Sequence, residues 1–98
     1  MSTAGNGAVA KRIGVLVRER QGEALRMAVG LTLHDDRVEV FVLDRAVEQT
    51  PENTMNIEML QEMGMRVATT CAANAGLELL TVPELARQVL ACDVILPH

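Results

Sequence analysis

The sequence is almost without aromatic residues, with one Phe and neither Trp nor Tyr among its 98 residues. It therefore lacks the stacking platforms on which proteins hold the bases of single-stranded nucleic acids. The net charge is −4 and no cluster of Lys and Arg is present. Because a phosphate backbone is bound by concentrated positive charge, these absences argue against nucleic acid as a partner.

Long apolar runs are also missing, since no uninterrupted stretch approaches the ~20 residues that a membrane-spanning helix needs. Residues 1–10 contain no basic segment followed by an apolar one, so they do not resemble a secretory signal and are predicted to form a flexible tail. Two cysteines indicate free thiols in a reducing compartment rather than a disulfide framework. We expect a cytoplasmic protein that does not enter the membrane.

Several binding motifs are absent as well. No G-x-G-x-x-G follows the first apolar run, which argues against a dinucleotide site. A C-x₅-R loop would need Arg at Leu77, and a C-x-x-C motif would need Cys at Asn74. The cysteines and histidines lack the close pairing of a zinc site (Cys71, Cys92, His34, His98). The sequence therefore predicts no cofactor and no metal.

The composition that remains, 49% apolar and 22% charged, is that of a globular chain. We expect one α/β domain over residues 11–98. A domain this short buries only about two-thirds of the surface that its unfolded chain exposes. Pairing of apolar faces between subunits would add to that burial, so a homo-oligomer is favoured.

Short apolar runs predict strands buried in a parallel sheet, at 13–17, 38–43, 65–70 and 93–96, with a fourth in sequence at 77–80 that is less clearly marked. Helical spacing of apolar residues predicts helices between them. The alternation of strand and helix is typical of a doubly wound fold. The predicted fold class is a flavodoxin-like three-layer α/β fold with a parallel sheet of four or five strands.

The first predicted helix covers 21–33, with Leu25, Ala28 and Leu33 on its apolar face. A second helix begins after Thr50 and ends at Gly64, and its methionines recur at i, i+4 spacing (Met55, Met59, Met63). We expect this methionine stripe to pack in the core, with a partner-binding surface as the alternative. Thr81 and Glu84 have the spacing of a capping box and predict a third helix.

Reactive groups in such sheets lie beyond the carboxyl ends of the strands. Cys71 follows the third long strand, and residues 72–75 could form a helical turn whose backbone N–H groups favour the thiolate. Thr69, Thr70 and Asn74 are the neighbours that could supply hydrogen bonds. The competing interpretation is that Cys71 is a small buried apolar residue. Cys92 follows a helix C-terminus, which disfavours a thiolate, so a packing role is expected.

The other polar residues at this edge allow a third interpretation. Arg18, Glu19 and Arg20 follow the first strand, and Asp44 follows the second. Arg18 and Arg20 could contact an anionic small molecule. No recognised motif supports that site.

The order of features resembles the DsrE/DsrF-like family of sulfur-relay proteins, of the TusD/DsrE type. The matching segments are 22–28, 38–47, Leu60, 64–67, Cys71, 76–77, 81–85 and 92–95. The resemblance implies a flavodoxin-like sheet, assembly as a trimer or hexamer, and a persulfide carried on Cys71. The first loop, 18–22, and the segment between Cys71 and Thr81 are shorter than in many members.

The resemblance leads to a first hypothesis, in which the protein is a sulfur carrier or sulfurtransferase subunit. Cys71 would accept sulfane sulfur from a donor protein and pass it to an acceptor protein. The alternative is a non-catalytic homo-oligomeric binding module in which Cys71 is structural. In that module the sheet edge and the methionine-rich helix would mediate assembly.

Overall fold

The computed structural model describes residues 11–34 and 37–98, so the predicted tail lies outside the described residues. Five strands and three α-helices follow one another along the described residues, and they alternate except that no helix separates β3 from β4. The strands are β1 (Arg12–Val17), β2 (Arg37–Val42), β3 (Arg66–Thr69), β4 (Glu78–Leu79) and β5 (Val94–Pro97). The helices are α1 (Gln21–Leu31), α2 (Pro51–Glu62) and α3 (Val82–Leu90). The strand at 77–80, the least clearly marked in the sequence, is therefore present as β4.

All neighbouring strands are parallel, and the sheet order is β4-β3-β2-β1-β5. Helices α1 and α2 contact each other and cover one face of the sheet. Helix α3 covers the other face, where Leu85 and Val89 pack against Phe41 and Ala68. The predicted flavodoxin-like three-layer fold with a parallel sheet is confirmed, and the number of strands is five.

The larger core lies between the sheet and the α1–α2 layer. Leu25 of α1 and Leu60 of α2 are fully buried against the valines of β1 and β2. Burial of each such side chain stabilises the fold by about 1.5–3 kcal/mol relative to exposure. Among the described residues, no helix has both the length and the apolar character that crossing a bilayer requires.

Two helices begin at the threonines that the sequence indicates. The Thr50 side chain accepts a hydrogen bond from the Asn53 N–H at the start of α2. At the start of α3, Thr81 and Glu84 form the predicted capping box in both directions. The N–H and hydroxyl of Thr81 stabilise the carboxylate and lower the pKa of Glu84 below its ordinary value.

Gly64 ends the second helical segment, as predicted, with a φ of 78° and with open space where a Cβ would lie. An L-residue is strained in that left-handed region. We expect Gly64→Ala to lower the free energy of unfolding by about 1–2 kcal/mol, measured by urea denaturation. Gly30→Ala is the control, because Gly30 lies in α1 with no atom to clash and Ala favours helix; it should be neutral or stabilising. Equal losses in both variants would contradict this explanation.

The predicted burial of Leu33 and of the methionine stripe is wrong, whereas Leu25 and Ala28 of α1 are buried as predicted. Leu33 is 80% exposed because α1 ends at Leu31 and a 3₁₀ turn follows. The methionine stripe of α2 is also exposed, with Met55 at 53%. Helix α2 instead turns Asn53 and Leu60 into the protein. The stripe therefore lies on the outer surface, and the core-packing interpretation fails.

A line of charged side chains crosses the amino ends of the strands on the α3 face. The Glu39 carboxylate is almost fully buried and accepts from Arg12 at 2.7 Å. Arg66 lies 4.0 Å from Glu39 and 3.2 Å from Glu78. These alternating charges compensate the buried carboxylate, since an unpaired buried charge would be costly. The opposite, carboxyl edge is built differently and holds the candidate site.

Candidate functional site

Cys71 lies just beyond the carboxyl end of β3 and is partly exposed. Its backbone N–H donates to the Thr69 hydroxyl at 3.0 Å, and its carbonyl accepts from the Asn74 N–H at 3.1 Å. The Thr69 hydroxyl in turn donates to the Val42 carbonyl at 2.8 Å. The backbone of Cys71 is thus fixed to the sheet, and the residue as a whole is partly exposed.

Asn74 is the buried centre of this edge. Its side-chain oxygen accepts from the Val47 N–H at 2.7 Å. Its amide nitrogen donates to the Arg45 carbonyl at 3.2 Å and to the Thr69 hydroxyl at 2.9 Å. Asn74 therefore ties the turn that carries Cys71 to the segment that follows β2.

The predicted neighbours of Cys71 are thus brought together, but their hydrogen bonds meet its backbone and the adjoining loop. Thr70 donates its backbone N–H to the Val42 carbonyl at 3.3 Å and so continues the sheet. The helical turn expected at 72–75 is not formed. The N–H groups of Asn74 and Ala75 instead donate to the carbonyls of Cys71 and Ala73 in a non-helical turn.

The loop between β2 and α2 is held by side-chain amides that no sequence motif marks. Gln21 is buried, donates to the Ala46 carbonyl at 3.0 Å and accepts from the Glu48 N–H at 2.9 Å. Asn53 donates to the Glu48 carbonyl at 2.9 Å. Together with Asn74, these side-chain amides fix the β2–α2 loop at the carboxyl edge of the sheet. The amides come from three separate parts of the chain.

Cys92 lies between α3 and β5, where it packs beside Phe41 and Ala68. Burial raises the pKa of the Cys92 thiol, and the nearby Glu39 carboxylate raises it further. Its Sγ lies 3.5 Å from the Gln88 carbonyl, in reach of a weak hydrogen bond. These surroundings favour a neutral, packed thiol at the edge of the sheet opposite to Cys71.

This difference predicts the order in which the cysteines react. We expect iodoacetamide at neutral pH to modify Cys71 of the native protein first, because a raised pKa leaves Cys92 less thiolate. The measurement is peptide mapping by mass spectrometry over a time course. In urea, the two cysteines should be alkylated at equal rates, which is the control for their intrinsic reactivity. Faster alkylation of Cys92 than of Cys71 in the native protein would contradict the assignment.

The residues after β1 lie at a separate place on the carboxyl edge. A crevice of about 280 Å³ is lined by Arg18, Glu19, Pro97 and His98. It opens between the ends of β1 and β5, where the chain connections switch from one face of the sheet to the other. The Arg18 guanidinium lies 3.9 Å from the Asp44 carboxylate, and both side chains are exposed. Because the Glu19 carboxylate accompanies the Arg18 guanidinium in the lining, the crevice is not a purely cationic site.

The described residues contain no group of three or more His, Cys, Asp or Glu side chains that could hold a metal ion. The fold and this edge define a parallel α/β protein of flavodoxin-like architecture with a partly exposed cysteine after its third strand. Comparison of the chain with protein-family models, curated proteins and solved structures found no match.

Proposed function

We propose that the protein is a sulfur carrier that holds sulfane sulfur as a persulfide on Cys71. The observation that carries the proposal is the placement of Cys71, partly exposed on a hydrogen-bonded turn at the carboxyl edge of a parallel sheet. That edge is where proteins of this architecture bind their ligands. The resemblance of the sequence to DsrE/DsrF-like proteins supports the same role.

The chemistry is a pair of thiol exchange steps. The Cys71 thiolate attacks the outer sulfur of a donor persulfide, forming a new S–S bond as the donor S–S bond breaks. The bonding pair leaves with the donor sulfur as a thiolate, so no external oxidant is needed. An acceptor thiolate then attacks the outer sulfur on Cys71 and releases the Cys71 thiolate. Donor and acceptor are thiols of other molecules, and one cysteine is sufficient.

The test is incubation of the reduced 98-residue chain with a persulfide donor, followed by intact-mass measurement. The proposal expects one added sulfur atom that a reductant removes. A natively folded sample that takes up no sulfur from protein or small-molecule donors would contradict it.

The second candidate is a non-catalytic, homo-oligomeric binding module, and apolar surface favours it. Helix α3 has an apolar side yet buries no residue completely, and Leu90 is 85% exposed. Val82 is 71% exposed on the same helix, and the methionine stripe of α2 adds a second apolar surface. Such surfaces are typical of protein contacts. A trimer or hexamer built on them fits either candidate function.

Sulfur uptake separates the two candidates more clearly than the oligomeric state does. A carrier must expose the Cys71 thiol to its partners, whereas the module needs it only for packing. A Cys71 that resists alkylation in the native oligomer would therefore favour the module.

A further inference from the structure

A groove of about 470 Å³ runs along the flank of α2. It exists because the connection from β3 to β4 is a short turn, where a longer crossover would place a helix beside α2. Residues 73–77 form one wall, and α2 forms the other. Gln61 bridges the two walls by donating to the Gly76 carbonyl at 3.3 Å. The volume lies within the range of small-molecule sites, about 300–1,000 Å³.

The lining combines apolar walls with a few polar groups. Val47, Ile57 and Leu77 contribute apolar surface, and Thr54 and several amides contribute hydrogen-bonding groups. Small-molecule sites commonly combine apolar walls with a few placed polar groups. The groove therefore has both surface for an apolar body and groups to orient a polar end.

The charge in the groove is negative. Glu58 is the one ionisable side chain among the described residues that line it. Helix α2 also carries Glu52 and Glu62 and contains no Lys or Arg. Glu58 and Glu62 are four residues apart, a spacing at which like charges destabilise a helix. A cation beside Glu58 would relieve that repulsion.

We propose that this groove binds a small organic cation, a primary amine with an apolar body. The ammonium group pairs with Glu58, and the apolar body lies between α2 and residues 73–77. Cys71 is not among the lining residues. The amine site therefore stands independently of sulfur transfer.

The test is an amide NMR titration of the full chain with phenethylamine, with 2-phenylethanol as the uncharged probe of matched shape. We expect saturable shifts at Ile57, Glu58 and residues 73–77 with the amine. The alcohol should bind about fivefold more weakly, since an exposed ion pair contributes about that factor. Glu58→Gln should reduce amine affinity to that of the alcohol. Glu62→Gln is the matched control on the same helix and should keep most of the affinity.

Three results would overturn the proposal. The first is the absence of saturable shifts in the groove, and the second is equal binding of the amine and the alcohol. The third is groove shifts that depend on protein concentration alone, which would assign the groove to a second copy of the chain. Amide spectra of both variants without ligand establish that each is folded.

Discussion

Cys71→Ser is expected to abolish sulfur loading while leaving the fold intact. Serine preserves the shape of the side chain but cannot form a persulfide, so the loss should be complete. Since Cys71 is partly exposed and its hydrogen bonds are made by its backbone, the free energy of unfolding should change by about 0.5 kcal/mol or less. Intact-mass measurement after donor treatment and urea denaturation give the two readouts.

Cys92→Ser is the matched control for that result. It should retain loading, because Cys92 lies at the opposite edge of the sheet. It should also cost about 1 kcal/mol of stability, since it places a hydroxyl beside Phe41 and Ala68. Loading that persists in Cys71→Ser and disappears in Cys92→Ser would show that Cys92, and not Cys71, carries the chemistry.

Asn74→Ala should lower the free energy of unfolding by about 2–4 kcal/mol, which is a larger loss than either cysteine variant should show. The variant removes three side-chain hydrogen bonds and leaves the buried Val47 N–H without its acceptor. Urea denaturation measures the effect. Faster amide exchange across residues 69–77 should accompany it, because the turn loses its link to the β2–α2 loop.

Gln49→Ala is the control for Asn74→Ala. Gln49 is an exposed amide of the same loop and donates only locally, to the Val47 carbonyl at 3.0 Å. Its replacement should change stability by about 0.5 kcal/mol or less. A similar loss in both variants would show that Asn74 is not a particular anchor of this edge.

The sheet could be predicted from the sequence because its strands are short and apolar. β1 and β2 are buried on both faces, so after its first residue each is a nearly continuous run of apolar residues, interrupted in β2 only by the buried Glu39. The capping box of α3 could also be predicted, since Thr81 and Glu84 interact within one helical turn. Patterns of this kind depend only on residues that are close together in the sequence. The parallel arrangement of the strands followed from their repeated alternation with helices.

Burial of the helix faces was harder to predict because spacing does not reveal which neighbour covers a face. The methionines of α2 have perfect helical spacing, yet the helix turns Asn53 and Leu60 inward. Because the inner face carries a polar residue, Asn53, the spacing of the apolar residues does not indicate that orientation. Asn53 is buried where it donates to the Glu48 carbonyl, a contact with the preceding loop that the sequence pattern does not mark.

The candidate site was predicted in part. The strand pattern placed Cys71 at the carboxyl edge, and the structure places it there. The role of Asn74 in joining two loops could not be predicted, because Val47 lies 27 residues away in the sequence. The groove beside α2 depends on the shape of a turn after β3, which the sequence pattern had suggested was helical.

The most direct test of the central claim follows one sulfur atom through Cys71. The protein is loaded from a persulfide donor, freed of excess donor, and then mixed with an acceptor thiol, with the Cys71 peptide weighed at each stage. We predict that this peptide gains one sulfur atom and loses it to the acceptor, while the Cys92 peptide is unchanged. A folded protein whose Cys71 peptide never gains sulfur, or never releases it to a thiol, would contradict the sulfur-carrier function.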